Sequence, residues 1–481
     1  MFPDDILIEI FDFYVDKNKG EVSKQFPKQR IQEWITLAQV CRRWRSVVFQ
    51  SPRRLNLRLL CTSKTPARDI LDIWPPFPLI IHDSESYTVN RWNRTSNIIA
   101  ALEHNDRVCQ IQLRCFSSTE LGYVMDSAML KPFPELTDLW LATSGYDRSV
   151  PKLPNSFLGG TAPRLRSLEL SDIPFPGLGK LLLSATHLVD LDLFDIPPSG
   201  YIPPKAMASS LFALTSLEFL RLHFRYPRPR PGLESRRPPL PPPTRSILPS
   251  LTLFLFKGAS EYLEEIVAWI DAPRLNELHI TFFNQIIFCT PQLFQFISQI
   301  PTLRTLEKGH IAFSSKFIIV KFPSRSSDYR VLSVEIPCAA SEWQLSSLEQ
   351  VCTSSLPPPP TLEDLYIFED RGHPPRWQDD VENTLWLDLL RSFIAVKNLY
   401  ISEEFVARIA PALQELVGVR TTEVLPNLES IFLGGAKWST RRPLHEGIKK
   451  FVDARRLASR PVVVSRWDMD LKYRHYTSYV T

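Results

Sequence analysis

Side-chain chemistry needs reactive groups at short range, so the histidines, cysteines and glycine-rich turns come first. The nine histidines are His82, His104, His187, His223, His279, His310, His373, His445 and His475, and no two lie within five residues of each other. The close spacing that lets two imidazoles on one helix face grip zinc, as in H-E-x-x-H, is therefore missing. The seven cysteines are Cys41, Cys61, Cys109, Cys115, Cys289, Cys338 and Cys352, with no C-x-x-C pair. Their number and spacing predict neither a disulfide framework nor a zinc ribbon. No G-x-S-x-G, G-x-x-x-x-G-K-[ST] or G-x-G-x-x-G occurs, and Gly177-Leu-Gly-Lys180 and Gly434-Gly-Ala-Lys437 are too short to cradle a phosphate. Cys41 sits on an apolar stripe with no histidine near it in sequence and reads as a packing thiol rather than a nucleophile. The expectation is a protein that is not an enzyme and has no cofactor or metal. Only groups converging from distant positions could overturn it.

Composition narrows the classes further. The chain has 481 residues, 44% hydrophobic and 22% charged, which is ordinary for a soluble globular protein. A net charge of +4 gives no push toward nucleic acid or a membrane. With 42 prolines against 16 glycines, stiff connectors are expected rather than loose linkers. Asp4, Asp5 and Glu9 occupy the place of a basic leader region. No apolar run reaches the length of a membrane span. Reduced thiols and these absences predict a cytoplasmic or nuclear location, or both.

The elements that would position any site begin with MFPDDILIEIFDFY. Pro3, Asp4 and Asp5 suit a helix start, and Ile6, Leu7, Ile10 and Phe11 recur at helical spacing. Asp16 to Arg30 reads as a polar loop. A second helix is predicted from Ile31 to Phe49, with Trp34, Leu37, Ala38, Cys41, Trp44 and Val48 near one stripe and Arg42, Arg43 and Arg45 elsewhere; Ser51-Pro52 ends it. These 52 residues are too few to bury that apolar surface alone, so the excess must meet the rest of the chain or a partner.

Phe2-Pro-Asp-Asp-Ile-Leu-x-Glu-Ile-Phe11, followed by Leu37-Ala-Gln-Val-Cys-Arg-Arg-Trp-Arg45, resembles an F-box motif. Phe2 stands where the family pattern has leucine, and the extra residues between Ile10 and Val40 fall in the polar loop. Thr65-Pro-Ala-Arg-Asp-Ile-Leu-Asp-Ile-Trp74, Ile98-Ile-Ala-Ala-Leu-Glu-His104 and Pro461-Val-Val-Val-x-Arg-Trp467 resemble segments of fungal F-box proteins. The resemblance implies docking on a Skp-type adaptor and, through it, a cullin, with Pro3, Ile6, Leu7, Ile10, Val40, Cys41 and Trp44 at the contact. On residue type alone the same seven could be the core of a helical cap. The implied role is substrate recognition in a Skp–cullin–F-box ubiquitin ligase; the alternative is a leucine-rich scaffold outside any ligase.

Beyond residue 53 one unit repeats: an apolar residue, a second three positions on, and a third two further. Copies start at Val108, Leu136, Leu165, Leu188, Leu217, Leu251, Leu275, Val331, Leu362, Val396 and Leu428, with a degenerate Leu303-x-x-Leu306-x-Lys308. Eleven intervals between 108 and 428 give a mean period of about 29 residues, at the upper end for leucine-rich repeats. The alternation suits a short strand with one buried face. Helix-like faces lie between, as in Leu263/Ile266/Val267/Ile270, Leu293/Phe296/Ile297/Ile300 and Ile409/Leu413/Leu416/Val417. The expected fold is α/β: a small helical F-box (1–52), then a curved leucine-rich-repeat-like solenoid of alternating short strands and helices (53–481). Arg53–Leu60 should start its sheet and Pro461–Val464 should close it. Residues between the buried positions should form an exposed row on the concave side, including Glu169, Asp192, Arg221, Glu277, His279, Tyr366 and Tyr400. This row is either a solvated face or the surface for an unknown protein substrate. The stretch 226–246 carries Arg236-x-x-Pro239-x-x-Pro242 and reads as a loop, either solvated or SH3-ligand-like.

Overall fold

The computed structural model describes residues 2–16, 33–50, 57–83, 91–143, 152–226, 245–283, 288, 290–324, 330–338, 343–354, 356, 360–370, 373–375, 383–417, 420–434 and 444–467. The polar stretch 17–30, the Arg53–Asn56 start of the expected first strand and the Pro/Arg-rich 227–244 lie outside them. The fold is mixed α/β. It divides into two compact units, Met1–Ile202 and Pro203–Thr481, and the N-terminal helices fall in the first.

The first unit opens with α1 (Asp4–Asp16), α2 (Glu33–Val40) and α3 (Arg42–Gln50). The single helix expected from Ile31 to Phe49 breaks at Cys41. The Cys41 carbonyl accepts the Arg45 N–H at 3.0 Å and its Sγ accepts the Trp44 N–H at 3.4 Å, which together cap α3. Arg45 Nε donates at 2.9 Å to the Ala38 carbonyl, one of those left over at the end of α2. The break lets Leu37, Ala38, Val47 and Val48 turn inward while Val40 and Cys41 stay outside.

Next come β1 (Leu59–Cys61), α4 (Ala67–Ile70), β2 (Leu79–Asp83), α5 (Arg91–Leu102), β3 (Val108–Phe116), α6 (Ser118–Ala128), β4 (Asp138–Thr143), β5 (Ser167–Ser171), α7 (Leu178–Ser184) and β6 (Asp190–Ile196). The strands pair in parallel and in chain order. Parallel neighbours need a crossover, and helices supply most of them. Helix α6 starts at a capping box: Ser117 Oγ accepts the Glu120 N–H and the Glu120 carboxylate accepts the Ser117 N–H. Between β4 and β5 the chain turns at Gly159, with φ +68°. There a Cβ would stand 2.9 Å from the Pro132 nitrogen, so only glycine fits.

The second unit contains α8 (Pro204–Leu211), β7 (Phe219–Phe224), β8 (Ser246–Ile247), β9 (Leu253–Gly258), α9 (Ser260–Trp269), β10 (Ile270–Asp271), β11 (Glu277–Phe282), α10 (Pro291–Gln299), α11 (Pro301–Arg304), β12 (Lys308–Phe313), β13 (Phe317–Pro323) and β14 (Val331–Pro337). It continues with α12 (Gln344–Ser354), β15 (Asp364–Glu369), α13 (Asn383–Arg391), β16 (Asn398–Ser402), α14 (Glu403–Gln414), β17 (Ser430–Gly434), α15 (Glu446–Leu457) and β18 (Val463–Trp467). The long sheet runs β7–β9–β11–β14–β13–β12–β15–β16–β17–β18, and β8 pairs with β10 in a separate two-stranded sheet.

The repeat copies at Leu303 and Val331 predict consecutive parallel rungs, and here the fold departs from the period. Only Ser314–Lys316 separates β12 from β13, too short a link for a parallel crossover, so the two form a hairpin closed by Ser314 N–H to Phe317 C=O at 2.9 Å. Strand β13 is antiparallel to β14 as well, and β14 takes the place beside β11. Ile318, Val320 and Phe322 of β13 alternate into the core, a period-2 signal the 29-residue frame hid. Val331 is half-buried and Leu332 is buried in its stead, alongside the expected Val334 and Ile336.

Elsewhere the triplets hold. The apolar residues of the copies starting at Val108, Leu136, Leu165, Leu188, Leu217, Leu251, Leu275, Leu362, Val396 and Leu428 are buried. Helices are secured by neighbours from other repeats. The Glu264 carboxylate on α9 accepts the Gln292 and Leu293 N–H groups at 2.6 and 2.9 Å and so caps α10. Arg455 on α15 is fully buried and donates to the carbonyls of Thr421, Leu425 and Leu428 at 3.2, 3.3 and 3.1 Å. Lysine cannot reproduce that fork. Arg455→Lys is expected to cost about 1–2 kcal/mol, read as a lower urea midpoint; an unchanged midpoint would mean the carbonyls find other donors.

Candidate interaction surfaces

On the face opposite the leucine rows, strand register sets which side chains are neighbours. In the first unit one row reads His82, Gln112, Trp140, Glu169, Asp192. His82 Nδ1 and Gln112 Oε1 share a hydrogen bond of 2.8 Å, and Trp140 Nε1 donates to Ser167 Oγ at 3.3 Å. The Arg114 guanidinium lies 5.2 Å from the Trp140 ring centre and 3.4 Å from Glu169. Glu169 and Asp192 thus stand in the expected row, but half-buried among neighbours rather than exposed.

In the second unit the row reads Arg221, Leu255, His279, Ser333, Lys321, His310, Tyr366, Tyr400, Phe432, Ser465. Arg221, His279 and Tyr400 lie in it and are half-buried. Glu277 lies one rung off and contacts His279, with Oε2 3.5 Å from Nε2. Tyr366 corrects the expectation outright: it is 6% exposed. It stacks on Tyr400 at 4.1 Å, and Tyr400 stacks on Phe432 at 4.4 Å. His310 meets Tyr366 edge-on at 4.8 Å, and Trp467 lies across both tyrosines at 5.6 and 5.4 Å. Tyr366, Ala312 and Phe368 form a second, buried apolar cluster, with Ile319, Tyr400 and Trp467 packed against it. Gly434 makes room for it, because a Cβ there would stand 2.3 Å from the Trp467 carbonyl oxygen.

The rest of this face is ionisable. Burial holds the Glu335 carboxyl up against the pull of Lys257, and holds the Lys321 amine down against Glu277. His279 is lowered by burial and partly restored by its hydrogen bond to Glu277. Burial, reinforced by Lys257 and Arg221, takes His223 to about 3; burial, reinforced by Lys308 and Lys321, takes His310 to about 3. An unfolded histidine titrates near 6.5. The unfolded chain therefore binds more protons between about pH 6.5 and 3, and stability present above that window falls as pH drops through it. At pH 5 each histidine removes about 2 kcal/mol. His310→Gln should lose less stability between pH 7 and 5 than the wild type in urea titrations; parallel losses would reject this assignment.

Sequence reasoning missed His310, Lys321, Ser333, Glu335, Phe432 and Trp467 on this face. Four of them belong to the β12–β13–β14 rearrangement, whose pairing no local period reveals. Histidine and lysine inside otherwise apolar strands were the available signal.

The second surface is on the N-terminal helices. Of the seven residues expected at a contact, Leu7 is 5% exposed and Trp44 is half-buried, its ring 4.8 Å from that of Phe11. These two hold the helices together. Pro3 and Cys41 are exposed, as are Ile6, Ile10 and Val40 at 45, 43 and 57%. Phe2 and Phe13, outside those seven, are exposed too. Trp34 lies among the side chains outside the description.

Among the described residues no group of His, Cys, Asp and Glu is placed to hold a metal, and no helix is long and apolar enough to cross a membrane. No family model matches the chain, and no curated protein matches it. Among solved structures, the leucine-rich repeat-containing protein LegL7 from Legionella pneumophila is similar. It shares 13% identity over 83% of this chain and 97% of that one, with a TM-score of 0.24. A score that low does not make the two folds equivalent.

Proposed function

We propose that the protein is a receptor that joins two partners and performs no chemistry of its own. The N-terminal helices dock on a Skp-type adaptor and through it on a cullin–RING ubiquitin ligase. The open face of the strands takes a target protein, and the gain is effective concentration. One observation carries this reading: Ile6, Ile10 and Val40 remain exposed on a helical unit whose Leu7, Ile8, Phe11, Leu37, Ala38, Val47 and Val48 are buried. Apolar side chains grouped on a small surface mark an interaction site. These positions coincide with those that the F-box-like motif assigns to the adaptor.

The test is co-expression with a Skp-type adaptor, comparing wild type with Ile6→Asp/Val40→Asp. Co-purification of the wild type and its loss in the folded double variant support the reading. No co-purification of the wild type would leave a repeat scaffold outside any ligase.

A further inference from the structure

Arg43, half-buried on α3, supports the docking surface from below the entry to α1. Its Nη2 donates to the Phe2 carbonyl at 2.5 Å and to Asp4 Oδ1 at 2.7 Å, and its Nε donates to the same Asp4 oxygen at 3.1 Å. The guanidinium fork thus spans the turn by which the chain enters α1. Arg43 itself stands on a helix fixed by the buried Val47 and Val48. The chain of support runs from the core to α3, from α3 to Arg43, and from Arg43 to residues 2–4. Beyond it the Phe2 ring is 62% exposed, just ahead of α1, on which Ile6 and Ile10 are exposed one helical step apart.

We infer that Arg43 is the positioning residue of this surface, holding Phe2 at the entry to α1, ahead of the exposed Ile6 and Ile10. The inference rests on the adaptor reading. An exposed apolar helix face preceded by a fixed phenyl ring fits a partner with an apolar helix-binding groove. The pair between half-buried Arg43 and exposed Asp4 is open to solvent, so it adds little to stability. Its effect is instead to order the entry turn before binding. Ordering a single residue on association costs roughly tenfold in affinity. An Arg43 variant should therefore fold normally and bind less well.

The experiment measures affinity of the full chain for a purified Skp-type adaptor, with thermal melts in parallel. Phe2→Ala is expected to bind about tenfold more weakly, and Arg43→Ala about fivefold. Because Arg43 acts through Phe2, the double variant should be no weaker than Phe2→Ala alone. Arg43→Lys keeps the charge but not the fork and should fall between wild type and Arg43→Ala. If wild type binds and Arg43→Ala matches it, or if the two losses multiply in the double variant, the positioning role is wrong while the adaptor reading survives. If wild type does not bind, both fall.

Discussion

Replacing Trp386 with alanine lowers the unfolding free energy of the second unit by about 3–5 kcal/mol. Trp386 on α13 is fully buried, and its ring centre lies 6.0 Å from Phe313 and 5.9 Å from Phe405, which are themselves 4.9 Å apart. These three rings join β12, α13 and α14, so the vacated volume cannot be refilled by one neighbour shifting. Repeats support each other through their contacts, and the loss should spread to the α12–α13 and α13–α14 packing. Domain stabilities lie at about 5–15 kcal/mol, so the change takes a large share. Urea unfolding reads it, with Trp386→Phe as the milder comparison. A midpoint unchanged by Trp386→Ala would show that this cluster is not part of the cooperative core.

Ile6→Asp/Val40→Asp is expected to reduce adaptor affinity by about a hundredfold or more while the melting temperature stays within about 2 °C of wild type. Both side chains are exposed in the single chain, so a carboxylate there costs nothing until a partner tries to cover it. Burying an unpaired carboxylate in an apolar contact is then strongly unfavourable. Leu7→Asp is a poorer probe. Leu7 is buried among the three helices, and its loss would damage the fold and the contact together. A folded double variant that binds like wild type would remove Ile6 and Val40 from the contact.

Much of the core was legible because it is written locally. A residue's side in a strand depends on whether its position is odd or even, and the leucine triplets from Val108 to Leu428 follow that rule almost throughout. Helices α1, α9, α10 and α14 follow from apolar spacings of three and four. The capping box at Ser117 and Glu120 was also visible as S-x-x-E and went unread. The break at Cys41 was not legible. The stripe through Leu37, Cys41 and Trp44 suits one helix as well as two, and the choice is made by which residues the packing of α1 against α3 can bury.

The candidate site shows the same division. Sequence placed Glu169, Asp192, Arg221, His279, Tyr366 and Tyr400 on one kind of rung, and register put them there. Exposure was another matter. Tyr366 and Tyr400 sit in equivalent positions of neighbouring strands, yet Tyr366 is buried because His310 and Trp467, both distant in sequence, close over it. The sequence by itself determined the repeating strand and helix, the leucine face and the apolar character of the N-terminal helices. Only the tertiary structure decided that β14 rather than β12 lies beside β11, that Leu7 packs while Ile6 faces solvent, and that histidine, lysine and glutamate share a face with an aromatic stack. Side-chain alternation is a property of one strand, whereas pairing and burial depend on which other segments come to lie beside it.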